Sequence, residues 1–553
     1  MAVGQERRPA RPETARQDLL IALLLLAAGL GVRWLYVRAV AFPPLDDPAF
    51  YLTSAKNLVL GRGLVVDALW SYQMPFSGVT HPSHEHWMPL TTGLIASAFA
   101  LLGPSLRAGQ LPGMILGALL APFTYLVGLR TLPGGLRNRW VAFSAALLVA
   151  ISATLSYESA SADSSAPFAL IAASALLMAS LVGAPTLRST PIRGPGPIAR
   201  YRAAITGLLV ALAYLTRSDG LLLLVAIPLA WRLLPAPAST APGDRGRDGH
   251  VRPGATSLAV MIVAFALLIA PWLARNYLAF GTPLPGSVLS QARISDYAES
   301  FNYQAFPTWG MLFARGWQAL LLERLQALLH NGSVWLLSTF PWGVLALPAI
   351  WLLRHERIYS VPFTYGLLLF VVTAIVFPVS SVAGTFYHSL GAVVPYLALA
   401  TTSVVQRASQ RLGQAHRLAH PLFFGIIAGL VVLAGAQMIL TLPAITKAHQ
   451  EVQEQFEAVA AWLTEHAAPG SVIMTSQPYT LNYTSGYPAI VLPSSESPAA
   501  AWAAAQQYGA RFLVLTQDFG QYPDILHEHP DPHFRLLDSS KGTEFWEIDG
   551  GQP

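Results

Sequence analysis

PPLDDPAFYLTSAKNLVLGRGLVVDALW, residues 43–70, decides how the rest of the chain is read. Residues 18–40 just before it are apolar over bilayer length, so the stretch emerges at a membrane surface. Asp47 followed by Pro48 is the pattern of a helix N-cap and first helical position, and predicts a helix starting there. Tyr51, Ala55, Leu58 and Val59 fall on one face of it, Thr53, Lys56 and Asn57 on another, and Gly61 and Gly63 end it. The segment is too short and too polar to span a bilayer, so it is expected to lie along the interface. With Asp47 as cap, Asp46 has no structural employment. A carboxylate in that position, at the mouth of a membrane domain, is a candidate general base.

Working outward, the 553 residues are 53% hydrophobic and only 11% charged. A soluble domain carries about 25% charged residues, so the chain is read as a polytopic α-helical membrane protein. Its net charge of +5 comes from arginines scattered through short loops, which is no signal for nucleic acid. The absence of cysteine excludes disulfides, thiolate metal sites and cysteine nucleophiles. Residues 1–17 form a basic leader without an evident cleavage site, expected to be cytoplasmic and retained. Apolar segments between 18 and 445 imply about 11–13 transmembrane helices, and eleven crossings are preferred, with 88–103 re-entrant or peripheral.

Arginines orient these segments. Arg188, Arg193, Arg200 and Arg202 mark one loop, Arg232, Arg245, Arg247 and Arg252 another, Arg354 and Arg357 a third, and Arg407, Arg411 and Arg417 a fourth. All four are cytoplasmic if the loops 41–87 and 279–331 and the C-terminal region are outside. Residues 447–553 change composition: helix-like FEAVAAWLTEHAA and SPAAAWAAAQQYGA alternate with strand-like SVIMT, RFLVLT, FRLLD and TEFWEI. That alternation predicts a small extracytoplasmic α/β domain, and it has no Gly-rich phosphate loop for a nucleotide.

Several motifs recur in a familiar order. The acidic pair is followed by an aromatic and by AKNLVLGRG at 55–63, then HEHWMPL at 84–90, LTRSDG at 215–220 and PWLARNYLAFGTP at 271–283. Together, over most of 17–445, they resemble the GT-C superfamily of membrane glycosyltransferases. That superfamily includes protein O-mannosyltransferases, lipid A aminoarabinose transferases and oligosaccharyltransferase catalytic subunits. The resemblance implies inverting transfer of a sugar from a polyprenyl-phosphate-linked donor to an acceptor hydroxyl on a glycan, lipid or protein. It also implies the outer face of a bacterial plasma (inner) membrane, with an extracytoplasmic cap.

The resemblance and the residue chemistry together nominate a site. Asp46, first of the pair, aligns with the superfamily's catalytic acid, with Asp47 as the alternative. Asp163 or Glu158 resembles its second acidic position, which shapes the acceptor site or binds a metal. Family members carry a charged residue ahead of Pro89 and Leu90, which points to Glu85 and His86 as substrate contacts. Arg217, Arg275 and His388 are candidate cations for the lipid phosphate, since a leaving phosphate needs positive charge around it. For Arg275 the rival is favourable interaction with a helix C-terminus. A divalent metal is a candidate cofactor, with His84, His86 and Asp163 as candidate ligands within or beside the HPSHEH cluster. Trp70, Trp87, Trp272 and Trp309 read as interfacial belt residues. The rival function is a transporter or flippase for a lipid-linked saccharide, which predicts matching repeats and midplane charges.

Overall fold

The computed structural model describes residues 12–43, 45–132, 136–183, 197–233, 252–285, 288–413, 418–516, 526–527, 530–540 and 542–549. Among the described residues six helices are long and apolar enough to cross a bilayer: Thr14–Ala39, Leu106–Thr131, Pro197–Thr216, Ala255–Phe280, Arg357–Val376 and Ala419–His466. Three sharply bent pairs raise the number to nine if each is one broken span: Arg139–Ala150 with Ala153–Ala160, Trp317–Ser338 with Gly343–Leu353, and Pro378–Leu390 with Val394–Gly413. Pro89–Leu102 and Ser165–Leu181 are shorter apolar helices. The first, at 14 residues, is about 21 Å long, short of a hydrocarbon core of about 30 Å. The expected 11–13 crossings therefore resolve into six to nine helices that satisfy length and composition, plus segments too short to span unaided.

The basic segments meet as pairs. Arg202 Nη1 donates to the Leu181 carbonyl at 2.7 Å, Arg357 Nε to that of Ser180 at 2.8 Å, and Arg407 Nη2 to Glu356 Oε1 at 3.0 Å. Three of the arginine-marked segments thus lie together. Arg188, Arg193, Arg245, Arg247, Arg417 and residues 1–11 of the leader lie outside the described residues.

The stretch 43–70 folds differently from its local signals. Its helix is Asp46–Val59, entered from extended Leu45, and no side chain caps it. Asp47 is therefore not the N-cap. Both aspartates sit in the first turn, where negative charge favours the helix dipole, and Pro48 uses a turn position that needs no N–H. Ala49, Phe50, Tyr51 and Leu52 are at most 1% exposed, and Thr53 and Asn57 are buried as well, while Lys56 is exposed. Much of the helix is therefore covered by protein.

What covers it is the C-terminal domain. Its mixed sheet has the order β2-β5-β4-β6-β8-β7, with β4 Val472–Thr475, β5 Ala489–Val491, β6 Ala510–Thr516, β7 Phe534–Ser540 and β8 Thr543–Ile548. The edge strand β2, Ala68–Leu69, comes from the loop after the Asp46–Val59 helix and runs parallel to β5. Upstream of it, β1 (Val65–Val66) pairs antiparallel with β3 (His81–Pro82). All four expected strands form. Helix Pro478–Ser485, strand β5 and the borrowed edge were not signalled. Helix Ala419–His466 runs 48 residues without a break, through position 447 and into the sheet domain. One apolar core lies within the helix bundle, and a second joins Phe50, Trp70 and Trp87 to the sheet residues Ile473, Ile490 and Leu513. Trp70 and Trp87 thus belong to this junction and not to a belt; Trp309 stays half exposed.

Candidate active site

A cavity of about 1730 Å³ opens where the helix bundle meets the sheet domain. Its polar wall includes Asp46, Asp47, Tyr51, Asp163, Arg217 and His388. Four separate segments deliver these groups, and hydrogen bonds through Ser164 and Ser165 link Asp163, Arg217 and His388.

Asp163 lies in the turn between helices Ala153–Ala160 and Ser165–Leu181. Ala162 just before it has φ 55°, a left-handed conformation that a residue with a Cβ adopts only when its surroundings hold it there. Ser164 donates to Asp163 Oδ1 through its hydroxyl, at 3.0 Å, and through its backbone N–H. Ser165 Oγ lies 3.2 Å from Asp163 Oδ2 and 2.7 Å from His388 Nδ1, which is itself 3.3 Å from Asp163 Oδ2. Arg217 Nη1 donates to Ser164 Oγ at 3.0 Å and Nε to Asp219 Oδ1 at 3.2 Å, and Ser389 Oγ donates to Asp219 Oδ2. His388 follows a kink at Gly384, φ 125°, where an added Cβ would stand 3.1 Å from His388 Nε2.

The electrostatics follow from burial and these neighbours. Burial would raise Asp163, but His388 and Arg217 outweigh it and hold the carboxyl below its ordinary value. Burial would lower Arg217, but Asp219 and Asp163 hold it above. Asp47 is pushed up to about 7 by burial and by repulsion from Asp163, opposed by Arg217 and by a hydrogen bond from Trp87. Tyr51 is held well above its usual range by burial and by Asp163 and Asp47. The wall thus carries a fixed anion, a fixed cation and, at Asp47, a carboxyl poised near neutrality.

Asp46 has a different occupation. Its Oδ1 accepts from the backbone N–H groups of Tyr479 and Thr480, both at 3.0 Å, and from Thr480 Oγ1 at 3.3 Å. It caps helix Pro478–Ser485 of the sheet domain, satisfying N–H groups that a helix start leaves without partners. Burial pushes it up to about 7 against these bonds. The expected capping role thus falls to Asp46, for a distant helix, while Asp47 caps none.

The remaining candidates separate. His86 lines the cavity, its ring 4.6 Å from that of Trp70, and burial pulls it down to about 4. Glu85 does not line that cavity; it faces a small side chamber shared with His86, and its Oε1 is 3.6 Å from His81 Nε2. Glu158 is buried in helix Ala153–Ala160 behind the cavity wall. Arg275 lies outside the cavity too, with its guanidinium 5.0 Å from the ring centres of both Trp272 and Phe280. His84 uses Nδ1 with Ser83 Oγ at 2.7 Å and Nε2 with Thr92 Oγ1 at 2.9 Å, and burial lowers it to about 3. Both ring nitrogens being engaged, His84, His86 and Asp163 do not form the expected ligand set. Among the described residues no three His, Cys, Asp or Glu side chains stand together to hold a metal ion. Sequence reasoning missed Tyr51, read as an apolar-face residue, and the pair Ser164–Ser165, whose signal was two hydroxyls directly after Asp163.

A helical bundle of this kind, carrying a mixed sheet domain over a charged cavity, is a fold also seen in solved membrane proteins. No family model matches the sequence, and no curated protein sequence matches it significantly. The structural likeness is to ArnT from Cupriavidus metallidurans bound to undecaprenyl phosphate, at TM-score 0.52 and 13% identity, covering 98% of this chain and 100% of that one. The apo state of the same protein gives TM-score 0.55 at 13% identity, covering 95% and 97%. Archaeal oligosaccharyltransferase AglB from Archaeoglobus fulgidus, in complex with an inhibitory peptide and a dolichol-phosphate, gives TM-score 0.53 at 12% identity, covering 92% of this chain and 70% of that one.

Proposed function

We propose that this chain is a glycosyltransferase that moves a sugar from a polyprenyl-phosphate-linked donor to an acceptor hydroxyl, with Asp47 as general base. The observation that carries the reading is the shared cavity, in which a carboxyl poised near neutrality, Asp47, stands within electrostatic reach of the Arg217 cation. In the reaction the acceptor oxygen bonds to the anomeric carbon as the bond from that carbon to the phosphate oxygen breaks. The electron pair leaves with the polyprenyl phosphate, and the hydroxyl proton passes to Asp47. Arg217 offsets the charge growing on the phosphate and His388 offers it a hydrogen bond, while Asp219 and Asp163 hold those two groups in place. A single displacement inverts the anomeric centre and needs no covalent enzyme intermediate. The arginine pattern favours a cavity on the outer face of a bacterial plasma membrane. The phosphorylated lipid carriers bound to ArnT and AglB, namely undecaprenyl phosphate and dolichol-phosphate, support the donor class.

The test compares two neighbours. Asp47→Asn should keep the fold and donor binding but lower kcat by about 10²–10⁴-fold, because the amide cannot take the proton. Asp46→Asn should retain at least a tenth of wild-type turnover, since Asn caps a helix nearly as well as Asp. Turnover of radiolabelled polyprenyl-phosphate sugars by the purified chain in lipid nanodiscs reads both. An inactive, folded Asp46→Asn beside an active Asp47→Asn would reverse the assignment. Full activity in both would remove the acidic pair from the chemistry and favour saccharide transport.

A further inference from the structure

We infer that the sheet domain is part of the substrate site: Ser476 and Gln477, in the turn between β4 and helix Pro478–Ser485, bind saccharide hydroxyls in the cavity. This rests on the glycosyltransfer reading and adds which side chains grip the sugar.

Both residues line the cavity alongside the acidic pair. Ser476 is 9% and Gln477 4% exposed, yet Ser476 Oγ and Gln477 Oε1 have no hydrogen-bond partner among the described residues. A buried polar atom left without a partner costs about 1–3 kcal/mol, so a ligand that pairs with such an atom in a cavity wall recovers that cost. Gln477 occupies the N-cap position of helix Pro478–Ser485, where a side chain ordinarily turns back to the helix N–H groups. It makes no such bond, because Asp46 reaches across from another segment and takes those N–H groups. The carboxamide oxygen of a cavity-lining residue is thereby left without a helix partner.

The chemistry of the open atoms selects the ligand. Gln477 Oε1 only accepts, so its partner must bring an O–H or N–H. An ionised phosphate has none to give, and it already has the Arg217 side of the cavity. Ser476 Oγ can donate or accept, which suits a vicinal hydroxyl. A saccharide offers such groups, either as the sugar on the donor or as the acceptor glycan.

The experiment uses the full chain in nanodiscs, comparing wild type with Gln477→Met, which keeps length but removes the accepting amide oxygen, and Ser476→Ala. Binding is measured for undecaprenyl phosphate and for a panel of undecaprenyl-phosphoryl hexoses and pentoses; transfer is measured to a glycan extract of the cell envelope. The expected result is a three- to tenfold loss of affinity for the sugar-loaded carrier that wild type binds best, roughly one hydrogen bond, with undecaprenyl phosphate unchanged within about twofold. Unchanged loaded-carrier binding with a raised KM for the extract assigns the same residues to the acceptor saccharide and also supports the inference. Wild-type values in both variants for both measurements overturn it. So does equal loss for loaded and unloaded carrier, which would mean a displaced phosphate site. A wild type that binds every loaded carrier no better than undecaprenyl phosphate, and transfers nothing, overturns the glycosyltransfer reading itself.

Discussion

The two walls of the cavity are built on opposite principles. On the bundle side the charges of the Asp163–Arg217 network are already engaged: Arg217 with Asp219 and Ser164, Asp163 with Ser164, Ser165 and His388. On the sheet-domain side the groups are uncharged, and two of them, Ser476 Oγ and Gln477 Oε1, are open. The contrast follows from the cost of burial. A charge taken out of water must be paired at all times, or it neutralises itself, whereas a neutral hydrogen-bonding atom can wait for a ligand at modest cost. Fixed charges suit a phosphate whose position does not vary; open neutral atoms suit hydroxyls, whose number and direction distinguish one sugar from another.

The largest way to break this comparison is to remove a charge from the bundle wall. Arg217→Gln should lower kcat by about 10²–10³-fold, with binding of undecaprenyl phosphate weakened as well, since the guanidinium meets the charge that grows on the leaving group. A loss confined to KM would make Arg217 a ground-state anchor only.

A pH series sharpens it next. Asp47 is raised to about 7, so below that pH it is protonated and unable to act as base. kcat/KM should therefore fall about tenfold per unit as pH drops below that value, and level off above it. Asp163 contributes to the rise, so Asp163→Asn should move the limb to lower pH even if overall turnover is reduced. A limb that stays put in Asp163→Asn would mean that another group titrates.

The smallest expected effect is at Arg275. Stacked beside Trp272 and Phe280 and outside the cavity, it should tolerate Arg275→Gln with donor affinity unchanged within about twofold, at a stability cost of about 0.5–1 kcal/mol. A tenfold loss of donor binding would bring it back into the site.

These outcomes bear on what the sequence could tell. Helices, the strands after 471 and the arginine-marked loops were legible because they depend on neighbours in the chain. Arg217 and His388 were legible as charges at segment ends. The roles within the acidic pair were not, because a local rule made Asp47 a cap while the bond that matters joins Asp46 to Tyr479, 433 residues away. The same holds for β2, two residues without a strand signal of their own, which acquire one from Ala489 and Ile490. Arg275 misled for the opposite reason: a charge near a helix end invites a ligand, and here two aromatic rings occupy it.

The bond from Asp46 to Tyr479 also sets a timetable. A ribosome adding about 5–20 residues per second makes the acidic pair, then takes roughly 20–90 s to reach the helix that Asp46 will cap, 433 positions on. Until then the edge strand β2 has no sheet and the Ser476–Gln477 wall does not exist. The cavity therefore gains its second wall only as a late step of biogenesis, once the last fifth of the polypeptide has docked.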